Sequence, residues 1–306
     1  MTEMTEATKQ EKGCCAPTCC NEPEGHVKEA HPREAVEERV QAVRERYGRI
    51  AEGTVSGCCG GTSGCATSES AVSLGIGYDA RDLAQVPVEA NLGLGCGAPL
   101  GFLALRPGET VLDLGSGPGL DVFLAAREVG PGGRVIGVDM TPAMLERARA
   151  NAAKIGLSHV EFREGRLEAL PVESGSIDAV TSNCVINLVP DKRAVFAEVA
   201  RVLRPGGRVV ISDILLRGRL PEAVEKDLLA YVGCVSGAMR QEEYFALVGA
   251  AGLEKVEVLR DVDYVAGLIE SAPDEVRALE ARTGIQREVV VGRVRSVTFR
   301  ALKPAR

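Results

Sequence analysis

The sequence predicts an α/β fold: a mainly parallel sheet with helices on both faces, followed by a smaller C-terminal α+β region. Three observations predict it. From Thr110 onward, apolar runs of strand length alternate with longer helical patterns, the order a parallel sheet with crossover helices requires. The first run, Val111-Leu112-Asp113-Leu114, enters a glycine-rich turn, Gly115-Ser116-Gly117-Pro118-Gly119, that opens a helix at Leu120. The second run, residues 134–138, ends in another acid, Asp139.

Taken in order, residues 1–31 are polar, with almost no large apolar side chain to bury, and are expected to be disordered. Within them lie two vicinal pairs, Cys14-Cys15 and Cys19-Cys20. Adjacent cysteines seldom bridge each other because the ring is strained. Together they present four soft sulfurs to a thiophilic ion; the alternative is a cysteine-rich tail with no role. Residues 33–47 read as a helix with Val36, Val40, Val43 and Tyr47 on one face. A flexible glycine-rich loop then carries Cys58, Cys59 and Cys65, and a second, residues 91–101, holds Cys96 between Gly95 and Gly97.

Strands are expected at 110–114, 134–138, 160–163, 177–181 and 208–212, and helices at 120–129, 142–155 and 192–203. Thr141 before Pro142 is an N-cap followed by proline at the first helical position. Gly206-Gly207 is expected to end the helix before it. Further helices are expected at 221–232 and 241–251, with late strands at 254–259 and 294–301, while residues 260–290 read as helical and polar. No internal repeat is visible. Three units are expected: the tail, residues 1–31; a ligand-binding domain, 32–218, with its N-terminal helix and Cys/Gly loops; and a C-terminal region, 219–306, contributing to the same site.

The formal charge of −7 gives no reason to expect binding to nucleic acid or an anionic membrane, since phosphate contacts need clustered Lys and Arg. The longest uncharged run, residues 90–105, is shorter than the ~20 residues a bilayer span needs. Residues 1–12 lack the apolar stretch of a signal peptide, so a cytoplasmic location is expected. In a reducing compartment, ten clustered cysteines read as metal ligands, redox pairs or reactive thiols rather than a disulfide scaffold.

A dinucleotide fingerprint brings a pyrophosphate onto a helix N-terminus through Gly-x-Gly-x-x-Gly. Here the third glycine comes one residue early and Asp113 stands beside the turn, which suits a cation and repels a pyrophosphate. Asp-Leu-Gly-Ser-Gly-Pro-Gly resembles the first motif of S-adenosylmethionine-dependent methyltransferases, whose cofactor carries an ammonium and a sulfonium. The competing reading is a tight strand–helix turn with no ligand. In an open parallel sheet, ligands bind at the carboxyl ends of the strands. The run Ser182-Asn183-Cys184-Val185-Ile186-Asn187-Leu188 follows the fourth strand and so faces the same crevice. Taken singly, Cys184 and Cys234 read equally well as small buried core residues. Cys96, flanked by glycines, has no packed apolar neighbours in sequence.

From residue 47 to 303 the chain resembles the arsenite S-adenosylmethionine methyltransferases. The matching stretches are Gly95-Cys96-Gly97, Val111 to Gly119, Gly137-Val138-Asp139-Met140-Thr141, the Asn-Cys-Val-Ile-Asn-Leu block from Asn183, Cys234-Val235-Ser236-Gly237-Ala238 and Val297-Thr298-Phe299-Arg300. The resemblance implies a Rossmann-like class I methyltransferase fold and methyl transfer from S-adenosylmethionine to thiolate-bound trivalent arsenic, as arsenic detoxification. It implies that Cys184 and Cys234 are arsenic ligands and that Cys96 joins a thiol relay with an upstream cysteine, for which Cys58, Cys59 and Cys65 are candidates. It implies a thioredoxin- or glutathione-type reductant.

For the cofactor, Asp113, Gly115, Ser116, Gly117 and Gly119 are expected around the amino-acid and ribose portion, and Asp139 on the ribose hydroxyls. Met140 is expected against the adenine, Arg166 and Leu167 at its boundary, and Asn183 on the methionine side. Many members of the family have an Asp where Arg166 stands here. The physics agrees. Arsenic's lone pair is itself the nucleophile, so no general base is required, and none of His26, His31 and His159 occupies an obvious catalytic position. Two other readings remain: a C- or O-methyltransferase of another small molecule, and a thiol-rich metalloid sink.

Overall fold

Eight strands form one sheet among the residues that the computed structural model describes, which are 32–55, 69–227, 234–235, 237–271 and 273–306. Cys14, Cys15, Cys19, Cys20, Cys58, Cys59 and Cys65 lie outside the described residues, as do His26 and His31. Strands β1 (Thr110–Leu114), β2 (Arg134–Asp139), β3 (Val160–Glu164), β4 (Ile177–Asn183) and β5 (Leu203–Leu216) pair in parallel in the order β3-β2-β1-β4-β5. Short β6 (Met239–Arg240) pairs in parallel with the end of β5. Beyond β5 the sheet turns antiparallel: β8 (Val294–Leu302) lies beside β5, and β7 (Glu254–Asp263) closes the edge.

Both faces of the parallel strands are covered, and alternate residues sort into two cores. Val111, Ala179 and Val210 pack with Val122, Phe123, Leu145 and Ala148 of helices α4 (Leu120–Val129) and α5 (Pro142–Ile155). Leu112, Val180 and Ile211 pack on the opposite side with Val195, Phe196 and Val199 of α6 (Lys192–Val202), and with Tyr244 and Val248 of the helix Gln241–Ala250. This two-sided burial explains why these strands read as unbroken apolar runs.

The bounds of β1, α4 and α5 coincide with expectation. Several details differ: β7 runs on to Asp263, where residues 260–290 read as helical. Leu203 to Gly207 belongs to β5 rather than to a helix terminus, because Ile177 of β4 pairs with Leu203 and draws the chain into the sheet one turn early. The helix expected at 221–232 is described only as Glu222–Glu225, with residues 228–233 outside the described set. In the first helix, α1 (Pro32–Ala51), which short α2 (Glu69–Ile76) and α3 (Ala80–Leu83) follow, Val40 and Val43 face inward but Val36 is 38% exposed. Thr141 precedes α5 but makes no side-chain cap; it hydrogen-bonds Asp139 instead.

After β7 come the helices Tyr264–Ser271, Pro273–Thr283 and Arg287–Val290. The region from 219 onward therefore supplies strands to the same sheet as the preceding segment. Among the described residues, no helix is long and apolar enough to cross a membrane.

Candidate functional site

The strand order reverses at β1, so the carboxyl ends of β1 and β4 bound the crevice where such sheets take ligands. Gly115, Gly117 and Gly119 all have positive φ, 69°, 51° and 101°, which glycine adopts without steric cost. Their free faces differ. A Cβ at Gly117 would find only the Met144 sulfur at 4.0 Å, so open space lies there. At Gly115 it would strike the Val185 side chain at 2.6 Å, and at Gly119 the Phe123 ring at 2.7 Å. Open space therefore lies against the backbone at Gly117, while Gly115 and Gly119 make room for protein side chains.

The turn is locked by Asp139, whose carboxylate accepts from Gly117 N at 2.9 Å and Thr141 N at 2.8 Å. Asp113, at the end of β1, is only 3% exposed. Burial, then the charges of Asp121 and Asp139, push its carboxyl well above the usual range, and no cation among the described residues offsets them. Buried acids converging without a counter-charge fit an ammonium-bearing ligand, which would relieve the repulsion. Ser116 Oγ, buried and without a partner, points the same way. S-adenosylmethionine therefore suits this crevice.

Around the rest of the crevice, Met140 is half-buried against a core that includes Cys96 and Cys234. Leu167 is buried in the main core, and Arg166 pairs with Glu168 at 3.0 Å and Glu37 of α1 at 3.6 Å.

The three thiols predicted from sequence meet at the end of β4. Cys184 follows its last residue with φ 59°, its N–H donating to Ser212 O of β5 at 2.8 Å. Cys96 is brought over by its loop: Cys96 N donates to Asn183 Oδ1 at 3.1 Å, and Ser296 Oγ donates to Cys96 O. The Cys96 and Cys184 sulfurs and one carboxylate oxygen of Asp213 lie within 4.8 Å of one another. Cys234, with φ 68°, is hydrogen-bonded to the Cys184 thiol and to the Tyr47 hydroxyl. Cys184 is thus the thiol that touches both of the others.

Burial, with the negative charge of Asp213, raises the Cys96 thiol. Cys184 is pulled down by its bond with Cys234, yet its bond with Cys96 and burial leave it well above the ordinary range. Cys234 is raised by its bond with Cys184 and by burial. The site therefore holds neutral thiols.

Asn183, expected on the methionine side of the cofactor, has its amide engaged within the protein: Nδ2 donates to Gly97 O at 2.7 Å and to Tyr78 Oη at 2.9 Å. Tyr78, Asp213 and Tyr244 escaped the sequence reading. Tyr78 in turn donates to Asp121 at 2.9 Å, which links the Cys96 loop to the acids of the cofactor crevice. Asp213, fully buried, accepts from Tyr244 Oη at 2.9 Å and Ile214 N at 3.0 Å. Burial pushes its carboxyl up to about 7, against the Tyr244 hydrogen bond and the Lys192 charge. One signal could have found it: Asp213 is an acid inside the apolar run Val209-Val210-Ile211-Ser212-Asp213-Ile214-Leu215. Tyr78 and Tyr244 carried no such signal.

Residues 105–252 match the model of a methyltransferase domain family. The chain is 48% identical to an arsenite methyltransferase of Halobacterium salinarum over 80% of its own length, and 35% identical to one of Aquipseudomonas alcaligenes over 72%. It spans 63% and 64% of the length of these two curated relatives. Among solved structures it resembles an arsenic(III) S-adenosylmethionine methyltransferase from Chlamydomonas reinhardtii, with a TM-score of 0.61, 35% identity and 73% of each chain covered.

Proposed function

The chain belongs to the arsenite methyltransferase family, and from that premise we propose that it transfers a methyl group from S-adenosylmethionine to trivalent arsenic held by its own thiols, an arsenic-detoxifying reaction. The observation that carries this reading is the meeting of Cys96, Cys184 and Cys234 beside the crevice at the ends of β1 and β4.

Neutral thiols suit arsenite as it exists near neutrality, an uncharged trihydroxide. Each thiol replaces one hydroxyl: an As–S bond forms, an As–O bond breaks, and the thiol proton leaves with the hydroxyl as water. No charge is created, which a buried, low-dielectric site favours. Cys184 bonds to both neighbours, so it is the ligand common to any two-sulfur or three-sulfur arrangement. Pyramidal sulfur coordination leaves the arsenic lone pair free as the nucleophile, and the protein's task is to aim it. Asn183 does part of that work by tying the Cys96 loop to β4.

For the cofactor, Asp113 would hold the ammonium, Asp139 the ribose hydroxyls through its remaining lone pairs, and Gly117 the open backbone face. Met140, Arg166 and Leu167 would bound the adenine, with Gly115, Ser116, Gly119 and Asn183 shaping the turn and the thiol side. Bound there, S-adenosylmethionine supplies a methyl group on a positively charged sulfonium. Methylated arsenic is formally two electrons more oxidised. Two of the thiols can return those electrons by closing a disulfide, which a thioredoxin- or glutathione-type donor then reopens. Such a donor and a cysteine-rich chain suit the cytoplasm. Cys58, Cys59 or Cys65 would supply the upstream thiol of the relay, and the tail cysteines would gather arsenic at low concentration.

The direct test is to incubate the purified chain with arsenite, thiol reductant and S-adenosylmethionine, and to identify the arsenic products. Methylarsenic species are expected. Binding of both ligands with no methylated product would leave only the sink reading.

A further inference from the structure

We propose that Cys96, Cys184 and Asp213 also form a binding site for a thiophilic divalent cation of the zinc and cadmium type, which competes with arsenic for the same two thiols. The proposal rests on the arsenic reading only in sharing those sulfurs.

The donor set is the first argument. Two sulfurs and a carboxylate oxygen lie within 4.8 Å of one another. Around a tetrahedral cation with bonds of about 2.0–2.3 Å, donors stand roughly 3.3–3.8 Å apart, so shifts on the order of 1 Å close the site. Trivalent arsenic is satisfied by sulfur alone, whereas a buried oxygen donor beside two sulfurs matches a borderline divalent cation.

The second argument is how Asp213 is held. Tyr244 donates to one carboxylate oxygen at 2.9 Å, the Ile214 backbone N–H to the other at 3.0 Å, and the Asn187 backbone N–H to the carboxylate as well, which leaves one of its roughly four acceptor positions free. That is the outer support by which proteins orient carboxylate ligands. Ser212 O anchors the Cys184 backbone and Asn183 that of Cys96, so each donor is fixed by a neighbouring group.

Charge is the third. Binding a divalent cation displaces two thiol protons to solvent, with no change of oxidation state. Two thiolates and one carboxylate then face two positive charges, which leaves one negative charge over. Lys192, buried near Asp213 with its ammonium on Asn187 O at 3.3 Å and Val189 O at 3.1 Å, supplies the balancing cation. Without the metal, Lys192 balances Asp213 alone. The buried site is neutral in both states, which removes the main penalty for charging it. Cys234, hydrogen-bonded to the Cys184 thiol, stands next as a fourth donor, and half-buried Cys184 leaves a way in.

The test titrates the reduced full-length chain with cadmium-113 under a competing chelator, reading affinity and the nuclear resonance of each bound ion. One resonance of mixed sulfur and oxygen coordination is expected, absent in Cys184→Ser, while signals from the remaining cysteines persist. Asp213→Asn should move that resonance and weaken its site by tenfold or more, and prior loading with arsenite should displace it. Unchanged affinity and resonance in Asp213→Asn, or persistence of the mixed sulfur and oxygen resonance after arsenite loading, would overturn the proposal. Should Asp213→Asn fail to fold, Tyr244→Phe frees the carboxylate without removing it and should still shift the resonance; no shift there also overturns it. The two readings separate cleanly. A chain that binds cadmium through Asp213 but makes no methylarsenic keeps this site and loses the proposed function; one that methylates arsenite with equal cadmium affinity in wild type and Asp213→Asn does the reverse.

Discussion

Cys234 reaches back onto Cys184: its Sγ donates to the Cys184 backbone carbonyl across 2.9 Å, and both residues hold left-handed backbones, φ 68° and 59°. L-residues other than glycine, asparagine and aspartate seldom adopt that region, at a cost of about 1–2 kcal/mol each. Two such residues bearing thiols, side by side, mark a place where the fold accepts strain in order to aim sulfur. The Cys184 N–H bond to Ser212 O holds one end of that arrangement in the sheet.

The central position of Cys184 predicts unequal losses. Cys184→Ser should lower methylarsenic formation by about a hundredfold or more, since even an ångström of misplacement costs that much. Cys234→Ser should leave a partial site of Cys96 and Cys184 and a smaller loss. Product analysis by chromatography with arsenic-specific detection reads both. Full activity in Cys184→Ser would exclude thiolate-bound arsenic as the substrate form.

Gly97 packs its bare face on β5: a Cβ there would lie 2.6 Å from Ser212 Oγ and 2.8 Å from Ser212 Cβ. Gly97→Ala should therefore lift the Cys96 loop. The expected result is weaker arsenite binding by tenfold or more with S-adenosylmethionine affinity within about twofold, both by calorimetry, since one 1.4 kcal/mol displacement is a factor of ten. Equal weakening of both ligands would mean the loop is not a separate unit.

Asp113 and Asp121 yield a pH dependence with a definite sign. Both are raised by burial, Asp121 to about 6. As pH rises from about 4, the unfolded chain gives up its proton while the folded chain keeps it, so the ligand-free protein loses stability up to about pH 6, by about 1–3 kcal/mol for Asp121. Thermal scans between pH 4 and 8 should show this loss, flattened by saturating S-adenosylmethionine. Asp113→Asn removes a like charge, so it should raise the ligand-free Tm at pH 8 while weakening cofactor binding tenfold or more. A lower Tm with unchanged cofactor affinity would contradict the role given to Asp113.

At the opposite end of the sheet, Arg208 grips both Glu109 oxygens, at 2.8 and 2.7 Å, and the carbonyls of Leu103 and Ala104. Arg208→Met leaves a buried carboxylate unpaired and should cost about 3–5 kcal/mol in denaturant unfolding. Activity per folded molecule should hold, because β5's amino end lies away from the thiols.

Local order was legible without coordinates. The run from Val111 to Gly119 specified strand, turn and helix to the residue, since period, glycine and helix start are properties of near neighbours in the chain. The uninterrupted apolar runs announced buried parallel strands for the same reason. Where local pattern misled, at Leu203 to Gly207, pairing with Ile177 overrode it.

Which side chains share one space could not be read. Cys96 meets Asn183 across 87 positions of the chain and Ser296 meets Cys96 across 200. Such meetings are decided by strand order and by the point where it reverses, not by neighbours in sequence. The tertiary structure alone brought Asp213 against two sulfurs, made Asn183 the tie for the Cys96 loop, and gave Gly115 to Val185. Sequence determined which groups this protein has to work with and which short elements carry them. Folding decided their company, because burial in a shared crevice is a property of the packed whole.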